Sequence, residues 1–233
     1  MATYVMSDLH GEYDKYCEML KKIDLSAEDT LFILGDVVDR GPKPVDILLD
    51  MMKHPNIYPL MGNHDLLALD ILKKLNTEIT EDNYADHLDA DTMNELLYWL
   101  RDGGQTTLTQ FRQLTAEEKA DVLDYMEEFS ICESVEAGGK TFVMVHAGLG
   151  NFRKGKKLRE YTLQELLMDR HDPEVDCFGE DDIYVVAGHT PTILLCGKPE
   201  IFHSHHNIFI DCGACMGGRL ACLCLDTMKE YYI

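Results

Sequence analysis

The chain opens on a repeating unit that leaves few folds available to it. Three times over, a short apolar run ends in a motif rich in Gly with Asp, Asn or His, and the first two motifs are each followed by an amphipathic stretch. Residues 3–6 lead into Ser7-Asp8-Leu9-His10-Gly11, residues 30–34 into Gly35-Asp36-Val37-Val38-Asp39-Arg40-Gly41, and residues 57–61 into Gly62-Asn63-His64-Asp65. Between them, Tyr13, Tyr16, Cys17 and Leu20, and then Val45, Leu48, Leu49 and Met52, recur at helical spacing. A β-α-β-α-β rhythm of this kind predicts an α/β sheet with its ligands at the strand ends. Asp8, Asp36 and Asn63 stand almost evenly, one strand–helix unit apart, so the three loops are expected side by side at one sheet edge.

Beyond residue 66 the pattern turns helical and acidic. Leu66, Leu69, Leu72 and Leu75 form one stripe, residues 93–100 another, and Thr115 with Glu118 makes a capping box opening a helix that runs through Tyr125. This predicts a helical insert of about residues 66–130 within one domain spanning 1–233, bordering the site mouth. Strand signals return at 131–135, turn at Gly138-Gly139, and run from 141–145 into His146-Ala147-Gly148-Leu149. Residues 183–187 lead into Gly188-His189-Thr190. Residues 207–210 and 220–225 read as a closing hairpin around a Gly-rich turn.

Net charge narrows the function classes. With 42 acids against 21 bases the chain carries −21 and repels nucleic-acid backbones. No apolar run reaches the roughly 20 residues of a membrane span, and no leader pattern precedes the first strand, so a cytoplasmic protein is expected. The eight cysteines then read as reduced thiols. Cys212, Cys215, Cys222 and Cys224 have poor zinc spacing, and the last two alternate with leucines as in a buried strand. His203, His205 and His206 read as exposed turn residues, and the Trp99 to Gly104 segment as a loop nearing the cleft.

The motifs supply enough oxygen and nitrogen donors for two cations sharing one carboxylate. Asp36 is the natural bridge, because its two oxygens can face separate ions. Taken singly, an Asp beside Gly is often a turn former and a buried His is often core. His10, His64, His146 and His189 all within two residues of Gly or Asn at strand ends is a pattern turns and cores do not produce.

These motifs resemble those of the calcineurin-like metallophosphoesterase superfamily, and within it the phosphoprotein phosphatase (PPP) branch with its bacterial and phage-type serine/threonine phosphatases. That family carries GDxHG, GDxVDRG, GNHE, HGG or HAG, and GH, and the likeness runs from Ser7 to Thr190. It implies an αββα sandwich of two mixed sheets flanked by helices. It also implies two divalent metal ions: manganese by resemblance, with iron or zinc admitted by the same Asp, His and Asn donors. Asp8, His10 and Asp36 would hold one ion; Asp36, Asn63, His146 and His189 the other. His64 would be the general acid, oriented by Asp39, while Arg40, Asn63 and a later arginine, Arg170 ahead of Arg159, would bind phosphate oxygens.

The implied activity is phosphomonoester hydrolysis on phosphoserine or phosphothreonine proteins or small phosphoesters, with no nucleic-acid or membrane partner. Symmetrical dinucleoside tetraphosphate (Ap4A) hydrolysis is the alternative. Two departures bear on that choice. Ser7 stands where the family has Gly, and Asp65 where protein phosphatases have Glu; the GNHD spelling is shared with the tetraphosphatases. Those relatives usually lack an acid at the position of Asp39, which this chain keeps.

Overall fold

In a computed structural model that describes residues 1–77, 90–179 and 182–233, the opening repeat does pair in parallel. Strands β1 (Thr3–Met6), β2 (Thr30–Ile33) and β3 (Ile57–Pro59) lie side by side, with Val5 opposite Phe32 and Phe32 opposite Tyr58. Helices α1 (Tyr13–Lys22) and α2 (Pro44–Met51) make the crossovers. A second sheet begins with β4 (Cys132–Ala137) and β5 (Lys140–Val145), an antiparallel pair turned at Gly138-Gly139. It continues with β6 (Ile183–Ala187), β7 (Phe202–Ser204) and β8 (Asn207–Phe209) in the order β4-β5-β6-β8-β7. The first sheet is completed by β9 (Ala221–Cys224) and β10 (Lys229–Tyr232), giving β10-β9-β1-β2-β3.

Period-two alternation explains how the layers stack. Val5, Phe32 and Leu223 of the first sheet meet Phe142, Met144, Val186 and Ile208 of the second in one buried cluster between the sheets. Their neighbours Met6, Leu31, Ile33, Cys222 and Cys224 face the other way, into the cluster that holds Tyr16, Met19, Val45 and Leu48 of the helices. Burying each such side chain contributes about 1.5–3 kcal/mol. The result is the α/β arrangement of two mixed sheets flanked by helices. All eight cysteines are free thiols, and Cys222 and Cys224 are buried strand residues.

One expectation fails. Residues 207–210 and 220–225 do not form a hairpin, because β8 pairs in parallel with β6 whereas β9 pairs antiparallel with β1. The Gly-rich segment between them crosses from one sheet to the other. Both runs are apolar and buried, and nothing in their alternation says which sheet each joins.

After β3 come α3 (Asn63–Asn76), α4 (Ala90–Trp99), a π-helical turn over Leu100–Gly104, α5 (Gln105–Phe111) and α6 (Ala116–Glu127). The capping box is present at α6: Glu118 N donates to Thr115 Oγ1 at 3.2 Å and Thr115 N donates to Glu118 Oε2 at 2.8 Å. On α3 the buried face is Ala68, Leu69, Ile71 and Leu72, while Leu75 is 46% exposed, so the leucine stripe only partly marks it. Residues 78–89 of the expected insert lie outside the described residues. Among the described residues no helix is long and apolar enough to cross a membrane. His203 sits on β7 against Glu230, and His206 faces Asp176, away from the motif loops.

Candidate active site

The motif loops are strained and tightly braced. Asp8, His10, Asp36, Asp39, Arg40 and His189 all have positive φ, a conformation costing a non-glycine residue about 1–3 kcal/mol unless its surroundings enforce it. The bracing runs between motifs: Asp8 N donates to Gly35 O at 3.1 Å, His10 N to Asp36 O at 2.8 Å and Gly11 N to Val37 O at 3.0 Å. A Cβ on Gly62 would collide with the backbone nitrogen of Asp36, so only glycine lets the second and third loops approach.

Asp65, noticed in the sequence only as a spelling difference, is the tie between those two loops. It is fully buried; Oδ1 accepts from Val37 N at 3.0 Å and Val38 N at 3.2 Å, and Oδ2 from Gly62 N at 3.0 Å. Burial, with Asp36 nearby, raises its pKa to about 7. Asp65→Ala would orphan three buried amides. It is expected to destabilise the fold by about 3–5 kcal/mol, read by chemical denaturation; unchanged stability would show that water replaces the carboxylate.

Within this frame the predicted donors converge. His10 Nδ1 donates to Val38 O at 2.9 Å, His146 Nδ1 to Leu34 O at 2.7 Å and His189 Nε2 to Met168 O at 3.1 Å. In each case a carbonyl fixes the tautomer and leaves the other ring nitrogen as a lone pair. Asp36 lies between two of these: Oδ2 is 3.4 Å from His10 Nε2 and Oδ1 is 3.4 Å from His146 Nε2. Donor atoms of His10, Asp36 and His64 lie within 4.8 Å of one another, as do those of Asp36, His146 and His189. Asn63 Oδ1 is 2.9 Å from His146 Nε2. Asp8 turns its carboxylate to Ser7 Oγ and to His189 N, the latter at 3.0 Å. Burial lowers the pKa of His10 and of His189 to about 4 in each case, so both are neutral imidazoles at pH 7.

His64 has different surroundings. Its Nδ1 meets Asp39 Oδ2 at 2.8 Å, and its Nε2 faces Arg40 Nη2 at 2.8 Å and Asp102 at 3.5 Å. Burial opposes the imidazolium, but the Asp39 hydrogen bond and the charge of Asp36 outweigh it and raise the pKa. The Trp99 to Gly104 segment does reach the cleft, as a π-helical turn: Gly103 O accepts from Arg40 N at 3.0 Å, and the Trp99 ring packs on the backbone of Gly104.

A cavity of about 330 Å³ opens over this centre. Asp8, Asp36, Asn63 and His189 line it together with Arg40 and Arg170. Arg159 lies in the turn at Leu158–Glu160 and is not among the lining residues. Asp211, unassigned in the sequence, is a further lining carboxylate; burial and then Asp36 raise its pKa to about 6. The signal for it was present, since Asp211 ends an apolar strand and precedes Cys212-Gly213 in the same grammar as the other motifs.

Residues 1–206 match the calcineurin-like phosphoesterase family. The chain belongs to that family. Among curated relatives of this calcineurin-like phosphoesterase, symmetrical bis(5'-nucleosyl)-tetraphosphatases of Enterobacter sp. (strain 638) and Salmonella arizonae are 35% and 36% identical over 103 residues. Those matches cover 43% of this chain, which spans only 36% of the length of those relatives. Solved structures agree in fold. One ascribed provisionally to a diadenosine tetraphosphatase has a TM-score of 0.66 at 16% identity, covering 99% of this chain and 92% of its own. A Saccharomyces cerevisiae protein serine/threonine phosphatase has a TM-score of 0.60 at 14% identity, covering 97% and 73%.

Calcineurin-like phosphoesterases work with divalent metals, and the donor set here fits such ions. With Nδ1 donating to Leu34 O, the Nε2 lone pair of His146 and Asn63 Oδ1 are two donors 2.9 Å apart that one cation could take together. Three carboxylates crowd one cavity: burial, then Asp211 and Asp36, push the pKa of Asp8 well above its ordinary value. Bound cations relieve that repulsion.

Proposed function

We propose that this phosphoesterase hydrolyses phosphomonoesters whose leaving group is a basic alkoxide, phosphoserine or phosphothreonine in proteins foremost, with two divalent ions, manganese foremost, as cofactors. Asp8, His10 and Asp36 would hold one ion, and Asp36, Asn63, His146 and His189 the other. When bound, the ions supply Lewis acidity that acidifies water and neutralises phosphate charge. The protein's own side chains do the rest. Arg40 and Arg170, which line the same cavity as the acids, grip the phosphate oxygens. With Arg40, 2.8 Å from His64 Nε2 in the free protein, engaged by the phosphate, His64 carries its proton on Nε2, is held at Nδ1 by Asp39, and delivers that proton to the departing oxygen as its bond to phosphorus breaks.

The observation that carries this reading is the buried His64–Asp39 pair at 2.8 Å. A general acid braced in this way matters most when the leaving oxygen is a strong base. In dinucleoside tetraphosphate hydrolysis the leaving group is itself a phosphate, a weak base that departs with little help.

A second reading, symmetrical dinucleoside tetraphosphate hydrolysis, is supported by the curated relatives. An apolar lip favours it too: Leu194 and Met216 border the cavity at 63% and 67% exposure, suited to a nucleobase. The two separate in a parallel assay of p-nitrophenyl phosphate, a phosphoserine peptide and diadenosine tetraphosphate with added manganese. The expected result is a higher kcat/KM for the phosphopeptide than for the dinucleotide. The reverse order would replace the first reading by the second.

A further inference from the structure

We infer that Trp99 and Thr107, contributed by the segment between β3 and β4, are positioning residues that hold Asp39 in line with His64 for proton delivery. This rests on His64 being the general acid. Asp39 is completely buried, and both of its carboxylate oxygens are engaged. Oδ1 accepts from Thr107 Oγ1 at 2.7 Å. Oδ2 accepts from Trp99 Nε1 at 2.9 Å as well as from His64 Nδ1 at 2.8 Å. Thr107 Oγ1 in turn accepts from Asp39 N at 2.9 Å, so one hydroxyl fixes both ends of the residue.

Neither contact is incidental to packing. Trp99 and Thr107 are both fully buried, where an indole N–H or a hydroxyl without a partner costs about 1–3 kcal/mol. Bare glycine at 104 lets the indole lie on the backbone, where any Cβ would push the ring from its place beside Asp39. Asp39 itself has a φ of 71°, a backbone conformation a non-glycine residue keeps only when its surroundings hold it. The two donors come from 60 and 68 residues along the chain, so docking of this segment and assembly of the acid are one event.

The consequence is specific to one step. During turnover the ester P–O bond breaks and its electron pair stays on the departing oxygen. The proton on His64 Nε2 moves to that oxygen, and the proton lost by the attacking water restores the imidazolium. Misaligning Asp39 slows only this transfer. The penalty therefore grows with the basicity of the leaving oxygen.

The test compares Thr107→Val, Thr107→Ser and Trp99→Phe with His64→Asn on two substrates. Thr107→Val and Trp99→Phe are expected to lower kcat on a phosphoserine peptide by about tenfold, the worth of one hydrogen bond to a charged group. KM and bound metal should stay unchanged, and kcat on p-nitrophenyl phosphate should move by less than about twofold, since its leaving oxygen needs little protonation. Thr107→Ser, which keeps the hydroxyl, should restore the peptide rate. Equal losses on both substrates, or no loss on either, would overturn the positioning role provided His64→Asn discriminates between them. If His64→Asn slows both substrates alike, the general-acid reading falls and the positioning role falls with it.

Discussion

Asp36→Asn is expected to lower turnover by about 10³-fold or more and to lower bound metal below two ions per chain, with the fold intact. The reason lies in how Asp36 is placed. Each of its oxygens faces a different histidine at 3.4 Å, and among the described residues it is the side chain common to both donor groups. Although burial opposes its charge, His146 and then His10 hold its pKa well below the usual carboxylate range, so it is an anion at neutral pH. Asparagine keeps the shape and can still accept from His64 N, a bond of 3.0 Å here, but it lacks the charge and the second oxygen. Elemental analysis beside a thermal melt separates the cases. A variant that melts normally and retains two ions would show that Asp36 is not the bridge.

His64→Asn is expected to cut turnover on alkyl phosphates by about 10²–10⁴-fold while leaving metal content near that of the unmodified protein. This is a sharper test than it first looks, because His64 lies close enough to His10 and Asp36 to be taken for a ligand. What sets it apart is the partner of Nδ1, the Asp39 carboxylate, which favours a protonated imidazole, while Nε2 faces Arg40 and Asp102. His10 and His146, by contrast, each spend Nδ1 on a backbone carbonyl, and each has Nε2 3.4 Å from Asp36, with Arg40 Nη1 at 2.8 Å from that of His10 and Asn63 Oδ1 at 2.9 Å from that of His146. Loss of metal together with activity would make His64 a ligand and remove the acid from the mechanism.

Much of this centre was legible in the sequence because its residues lie at strand ends within short, glycine-marked motifs, and the β-α-β rhythm orders those ends along one edge. Asp8, Asp36, Asn63 and His189 are brought together as that pattern requires, and Arg170 joins them at the cavity. What stayed hidden depends on contacts that local pattern does not encode. Thr107 is an ordinary helical threonine until its partner 68 residues away is known. The two late apolar runs look like a hairpin because alternation reports burial and not partnership, and they belong to different sheets. Asp65 reads as a spelling variant, yet its three amide contacts tie two catalytic loops.

Anomalous diffraction from crystals grown with manganese tests the central claim most directly. Two peaks are expected, one on either side of the Asp36 carboxylate, the first near His10 and Asp8, the second near Asn63, His146 and His189. A single peak, or none at full manganese occupancy elsewhere in the crystal, would contradict a dinuclear centre built on Asp36.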